Sequence, residues 1–262
     1  MKQLIEKKDL LSFIYKNINT NIDSLKENFN ISTSTAYRML QQLKDENWIL
    51  IDKNNIIYKP FSYINIQEDN IKNILKNALA YKAHQLINNG DVICLSGSST
   101  TMSLMIPFII MNKENITIIS NSVLVLRSYL NYYDLAINKN IILLVIGGTI
   151  KKQFYAFNGE YVDNIANNLN IEKAFFGTQS IDPQRGLFMD TLLENMVEKK
   201  LMEISKNNYL IANYEKFQTK GLFKWADLYE LKGIISDVDL EEIEFSNKNI
   251  EKYSMKIEDI NW

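Results

Sequence analysis

The chain of 262 residues has a single cysteine, Cys94, and a single histidine, His84. One thiol excludes an internal disulfide and a cysteine-based metal cluster. One imidazole leaves little room for histidine-dependent catalysis or a zinc site, so neither a metal nor a cofactor is expected. No apolar run approaches the roughly 18 residues that span a membrane. The opening stretch MKQLIEKKDL is charged and lacks the apolar segment of a secretory signal. These absences predict a soluble, cytoplasmic protein with no membrane partner. Glycine is missing from the first 89 residues: all nine lie at or beyond Gly90, and the only proline before that point is Pro60. The front is therefore expected to be helices with short polar connections, and the back a glycine-punctuated α/β region.

What is present fits that division. Apolar residues make up 46% of the chain, enough for a sizeable core, and the net charge is −2. Residues 1–60 hold nine Lys/Arg and seven Asp/Glu, a net of +2; the rest holds 20 and 24, a net of −4. A mildly basic front permits DNA binding without requiring it. In residues 1–60, DLLSFIYKNI predicts a first amphipathic helix. NIDSLKENF predicts a short second one, capped by Asn21, with Ile22, Leu25 and Phe29 inward. ISTSTAYRMLQQLKDENW predicts a longer third, with Ser32 as its cap and Ala36, Met39, Leu40 and Leu43 at helical spacing. ILIDKNNIIYKP alternates about a polar turn, as a β-hairpin does. That layout is a winged helix-turn-helix.

Residues 61–89 predict a linking helix, with Ile71, Ile74, Leu75, Ala78, Ala83, Leu86 and Ile87 on one face. In residues 90–262 the runs DVICL, ITIIS, IILLVI, KAFFG, YLIAN and GIIS alternate with helical segments. The pattern predicts a mostly parallel α/β sheet covered on both faces, with ligands beyond the carboxyl ends of its strands. SGSSTT, directly behind DVICL, occupies such an end. The closing segment DLEEIEFSNKNIEKYSMKIEDINW reads as a solvated extension with room for one more strand. Cys94 reads as a small buried hydrophobe, and His84 as a helix-packing or surface residue.

These segments, in this order, resemble the DeoR family of bacterial transcriptional regulators over roughly residues 5–237. FNISTSTAYRML is similar to the family pattern V-S-x-x-T-I-R-R-D-L, and SGSSTT to D-x-G-T-T-T. SNS at Ser120 to Ser122, IGG at Ile146 to Gly148, NG at Asn158–Gly159, EKAFFGTQSID, RGL, LIANYEKF and GIISD follow in family order. The chain departs from the family at Tyr37 and Met39, where arginine and aspartate are usual, and at Ser96 and Asn213, where aspartates are usual. Glu194 matches a family acid. The resemblance implies an N-terminal winged helix and a C-terminal sensor domain related to sugar-phosphate isomerases.

Two sets of site residues follow. Ser32, Ser34, Thr35, Tyr37, Arg38 and Gln41 are the candidates for contact with double-stranded operator DNA, the second helix of the motif entering the major groove. Arg38 suits guanine and Gln41 adenine, while Tyr37 suits phosphate or a thymine methyl. For a phosphorylated sugar or similar effector, the candidates are Ser96, Ser98, Ser99, Thr100, Thr101, Asn121, Gly147, Gly148 and Lys216. Hydroxyls and free N–H groups at a helix start suit an anion, although Ser98 or Ser99 as a plain helix cap needs no ligand. The expected protein is a homo-oligomeric repressor of a sugar-catabolism operon, not an enzyme. The alternatives are an isomerase with an appended DNA-binding domain and a sensor that only oligomerises. An isomerase needs a base beside a carbonyl, and Ser96 and Asn213 remove two carboxylates from where the fold would offer them.

Overall fold

The computed structural model describes residues 10, 13–14, 21–45, 49–51, 57–58, 70–97, 99–151, 155–158, 168–190 and 192–255. They fall into two compact units, the first ending at Asn70 and the second running from Ile71.

In the first unit, α1 (Ile22–Phe29) starts at a capping box. Asn21 Oδ1 accepts from the Ser24 N–H at 2.9 Å, and Ser24 Oγ accepts from the Asn21 N–H at 3.1 Å. Asn30, left-handed at φ 50°, ends it. Ser32 Oγ accepts from the Thr35 N–H at 3.2 Å and so starts α2 (Thr33–Asp45). Ile22, Leu25, Ala36, Leu40 and Leu43 are buried with Leu10, Ile14 and Ile49. Phe29 is half-buried, edge-on to Phe13. The strands β1 (Leu50–Ile51) and β2 (Ile57–Tyr58) pair antiparallel, Leu50 with Tyr58 and Ile51 with Ile57. Their polar turn and Pro60 lie outside the described residues, as does most of the first expected helix.

The second unit opens one residue into α3 (Asn70–His84), followed by β3 (Val92–Leu95), α4 (Thr100–Asn112) and β4 (Thr117–Ser120). Next come α5 (Val123–Leu130), α6 (Tyr133–Asn138), β5 (Ile142–Val145) and a hairpin of β6 (Thr149–Lys151) and β7 (Ala156–Asn158). Then follow β8 (Ile171–Phe176), β9 (Ser180–Asp182), β10 (Gly186–Met189), α7 (Leu192–Glu203), β11 (Ser205–Ala212) and α8 (Glu215–Gln218). Last are β12 (Phe223–Ala226), β13 (Gly233–Ser236) and β14 (Glu251–Ser254). Seven strands form one wholly parallel sheet in the order β14-β13-β11-β8-β3-β4-β5. A small antiparallel sheet, β12-β10-β9, stands beside it. The acidic terminal segment thus supplies an edge strand, β14, rather than only a solvated tail.

The helix α4 is buried at every position from Thr101 to Ile110, as a central, apolar helix must be. Pro107 lies inside it and has no N–H for the Ser103 carbonyl one turn back. Ser128 Oγ, from α5, donates to that carbonyl at 2.9 Å, so the lost bond is replaced across the helix pair. His84 is buried against the rings of Tyr81 and Phe108, and Cys94 lies wholly inside the sheet. Burial, with Glu198 nearby, pushes the Cys94 thiol far up, so it is an inert hydrophobe.

Candidate functional site

Chain order reverses between β3 and β8: β4 and β5 lie to one side of β3, and the later strands run outward from β8. The crevice beyond the carboxyl ends of those two strands is where open α/β sheets bind ligands. The loop after β3 enters it under tight constraint. Ser120 Oγ donates to the Leu95 carbonyl, and the Gly97 N–H donates to Asn121 Oδ1 at 2.7 Å. The Phe157 N–H donates to the Asn121 carbonyl at 2.8 Å, tying in the hairpin of β6 and β7. A Cβ on Gly97 would lie 2.8 Å from Ala156 Cβ and 3.0 Å from Asn121 Oδ1, so only glycine fits there. The chain is thereby delivered to Ser99, whose Oγ accepts from the Thr101 N–H at 3.2 Å and caps α4.

A cavity of about 220 Å³ opens at this point. Ser99, Thr100 and Thr101 border it from the start of α4, and Lys216 borders it from α8. Thr178, in the loop two residues past the end of β8, borders it too and is held by Trp225 Nε1, which donates to its Oγ1 at 3.2 Å. Asn213, at the end of β11, also borders it, and its Nδ2 donates to Glu215 Oε2 at 3.1 Å. Lys76 and Leu79 complete the wall from α3. The lining therefore carries two ammonium groups, three hydroxyls at a helix start and no carboxylate. Its chemistry suits an anion. Acids stand farther back: buried Glu198 on α7 accepts from Ser96 Oγ at 3.3 Å, and burial, with Glu215 adding to it, holds the Asp237 carboxyl above its usual range.

Of the effector candidates, the structure brings Ser99, Thr100, Thr101 and Lys216 to one cavity. Ser98 lies outside the described residues. Ser96 and Asn121 are wholly buried and shape the loop rather than border the cavity, and Gly147 and Gly148 lie in the connection from β5 to β6. Lys76 and Thr178 were missed. Thr178 had a signal, a polar residue just past an apolar run; Lys76 had none, since helical periodicity marks only the buried face. The side chain of Glu194 lies outside the described residues, and the acid that meets Ser96 is Glu198.

In the first unit, Ser34, Tyr37, Arg38 and Gln41 are exposed on one side of α2, opposite Ala36, Leu40 and Leu43. Ser32 and Thr35 are occupied locally: their hydroxyls lie 2.8 Å apart at the start of the helix. Gln41 Nε2 donates to Asp45 Oδ1 at 2.8 Å, one turn along the same face.

A family model described as the DeoR C-terminal sensor domain matches residues 72–238. The HTH-type transcriptional regulator IolR of Bacillus subtilis is 25% identical over 248 residues, covering 92% of this chain and 93% of that protein. The HTH-type transcriptional repressor GlcR of the same organism is 24% identical over 233 residues, covering 87% and 86%. The ribose 5-phosphate isomerase of Plasmodium falciparum aligns at 20% identity and a TM-score of 0.38, over 57% of this chain and 55% of its own.

Proposed function

Because the chain belongs to the DeoR family of transcriptional regulators, we propose that its first unit binds operator DNA and its second answers to a phosphorylated sugar or related metabolite. The chain is a regulator, not an enzyme. On this reading it represses a sugar-catabolism operon, and the effector alters its hold on the operator. The exposed face of α2 reads the major groove through Arg38, Tyr37 and Gln41, and Gln41 exchanges its bond to Asp45 for a base edge. The observation that carries the effector half is the cavity at the start of α4. Three hydroxyl residues at a helix N-terminus and lysines from two other elements line one cavity, a combination suited to a phosphate.

The effector's phosphate is held by Ser99, Thr100, Thr101 and the N–H groups of the first turn. Lys76 and Lys216 offset its charge, and Thr178 and Asn213 face the sugar. Asn213 offers an amide where a carboxylate would repel the anion.

Calorimetric titration with pentose and hexose phosphates, and with the same sugars unphosphorylated, tests this reading. At least one phosphorylated sugar should bind about a hundredfold more tightly than its parent sugar, since two charge-assisted hydrogen bonds account for that factor. A panel in which no phosphate ester binds would leave the sensor without its proposed ligand. Deleting the gene should raise transcription of the neighbouring operon; a fall would make the protein an activator.

A further inference from the structure

The exposed apolar side chains of the second unit are concentrated. Of the twelve exposed large hydrophobics among the described residues, six lie between Leu130 and Leu144, so one segment accounts for half of them. That segment ends in β5, sequence ILLV, the edge strand of the seven-stranded sheet, paired only with β4 among the described residues. Strands of a parallel sheet are normally covered on both faces. Here Ile142 and Leu144, which alternate onto one face, are 55% and 41% exposed. Beside them, Tyr133 and Ile137, one turn apart on α6, join Ile142 around an open groove of about 350 Å³. The residues lining that groove include no lysine, arginine, aspartate or glutamate.

Three features select the occupant. A parallel edge strand directs alternate N–H and C=O groups away from its sheet, so the partner must supply a strand. Within the strand itself, ILLV carries none of the charges, proline or bulge by which monomeric proteins block such pairing. Because it carries no charge, two copies laid antiparallel oppose no like charges and match apolar to apolar, as an isologous contact requires. The area agrees. Tyr133, Ile137, Ile142 and Leu144, each about half exposed, leave on the order of a few hundred Å² of largely apolar surface per copy. A standard interface buries about 800 Å² per partner, somewhat more than half of it apolar.

We propose that β5, with the Tyr133–Ile137 side of α6, is the surface through which two copies of this chain pair, edge to edge across a two-fold axis. The paired sheets then run continuously through fourteen strands, twice the seven of one copy. The partner's apolar side chains enter the groove. Pairing would also provide the two DNA-binding heads that a short recognition helix needs. That consequence rests on the operator reading; the pairing itself does not, and its test contains no DNA.

Sedimentation of the full chain at micromolar concentration should give twice the mass of one copy. Ile142→Asp with Leu144→Asp should raise the dissociation constant at least about a hundredfold and sediment as a monomer, with circular dichroism unchanged. If the double variant does not fold, hydrogen exchange on the parent decides. The amides of residues 142–145 should be protected when concentrated and lose protection on dilution. A monomeric parent, a double variant that remains paired, or β5 amides indifferent to dilution would each overturn the proposal.

Discussion

Ser99 has two duties at the start of α4. Its Oγ accepts from the Thr101 N–H, a cap whose removal costs about 1 kcal/mol, and it also borders the cavity. The duties separate by substitution. Ser99→Gly, tolerated at a cap within a few tenths of a kcal/mol, should keep stability while losing one bond to the phosphate. Ser99→Ala with Thr100→Ala should lose about 1 kcal/mol of stability and weaken a phosphosugar about a hundredfold, read by thermal unfolding and calorimetry. If the double variant bound as the parent does, the run would be a cap alone. His84 carries a different prediction. Burial, opposed by the hydrogen bond to the Tyr81 carbonyl and aided by Lys113, lowers its pKa to about 4. The unfolded imidazole therefore takes up a proton first on acidification. This contribution to stability is complete above about pH 6.5 and is lost as the pH falls towards 4, by up to about 3 kcal/mol. His84→Phe should flatten that loss in urea unfolding compared between pH 7 and pH 4.5; an equal loss in both proteins would place the acid sensitivity elsewhere.

On α2, the arrangement of one buried and one exposed side gives Arg38 its test. Arg38→Ala should cost roughly 1–3 kcal/mol on the specific operator and relax preference at one base position, while random DNA is bound nearly as before. Equal losses on both would reassign Arg38 to a phosphate. Elements differ in how far they were legible. The runs DVICL, ITIIS, IILLVI, KAFFG, YLIAN and GIIS became β3, β4, β5, β8, β11 and β13: strands of a parallel sheet covered on both faces read as continuous apolar runs, and β5, at the sheet edge, keeps such a run although Ile142 and Leu144 are exposed. The Asn21 and Ser32 caps were legible for a local reason: each bonds a backbone group only three residues away. The sheet β12-β10-β9 was not, because its strands are three or four residues long and rest on distant packing such as Phe176 against Trp225. Nor does Pro107 announce that Ser128, 21 residues later, replaces its missing donor. In the site, hydroxyls at a strand end could be read directly. Lys76 could not, because its role follows from which side of α3 meets the cavity.

At the scale of the molecule, α3 is the first element after the first unit in the chain, and its Lys76 and Leu79 border the cavity. On the proposed reading, an effector that draws Lys76 towards its phosphate acts on the segment through which the chain leaves the first unit. Coupling of this kind is worth about 1–3 kcal/mol, or roughly 5–150-fold, and binding free energies require it to be reciprocal. The direct test is therefore a titration of phosphosugar into the full chain, alone and saturated with the DNA upstream of its own gene. A repressor released by its effector should bind the phosphosugar about 5–150-fold more weakly when operator is present, and lose operator affinity by the same factor when phosphosugar is present. Tight phosphosugar binding with the same affinity in both titrations would contradict the account.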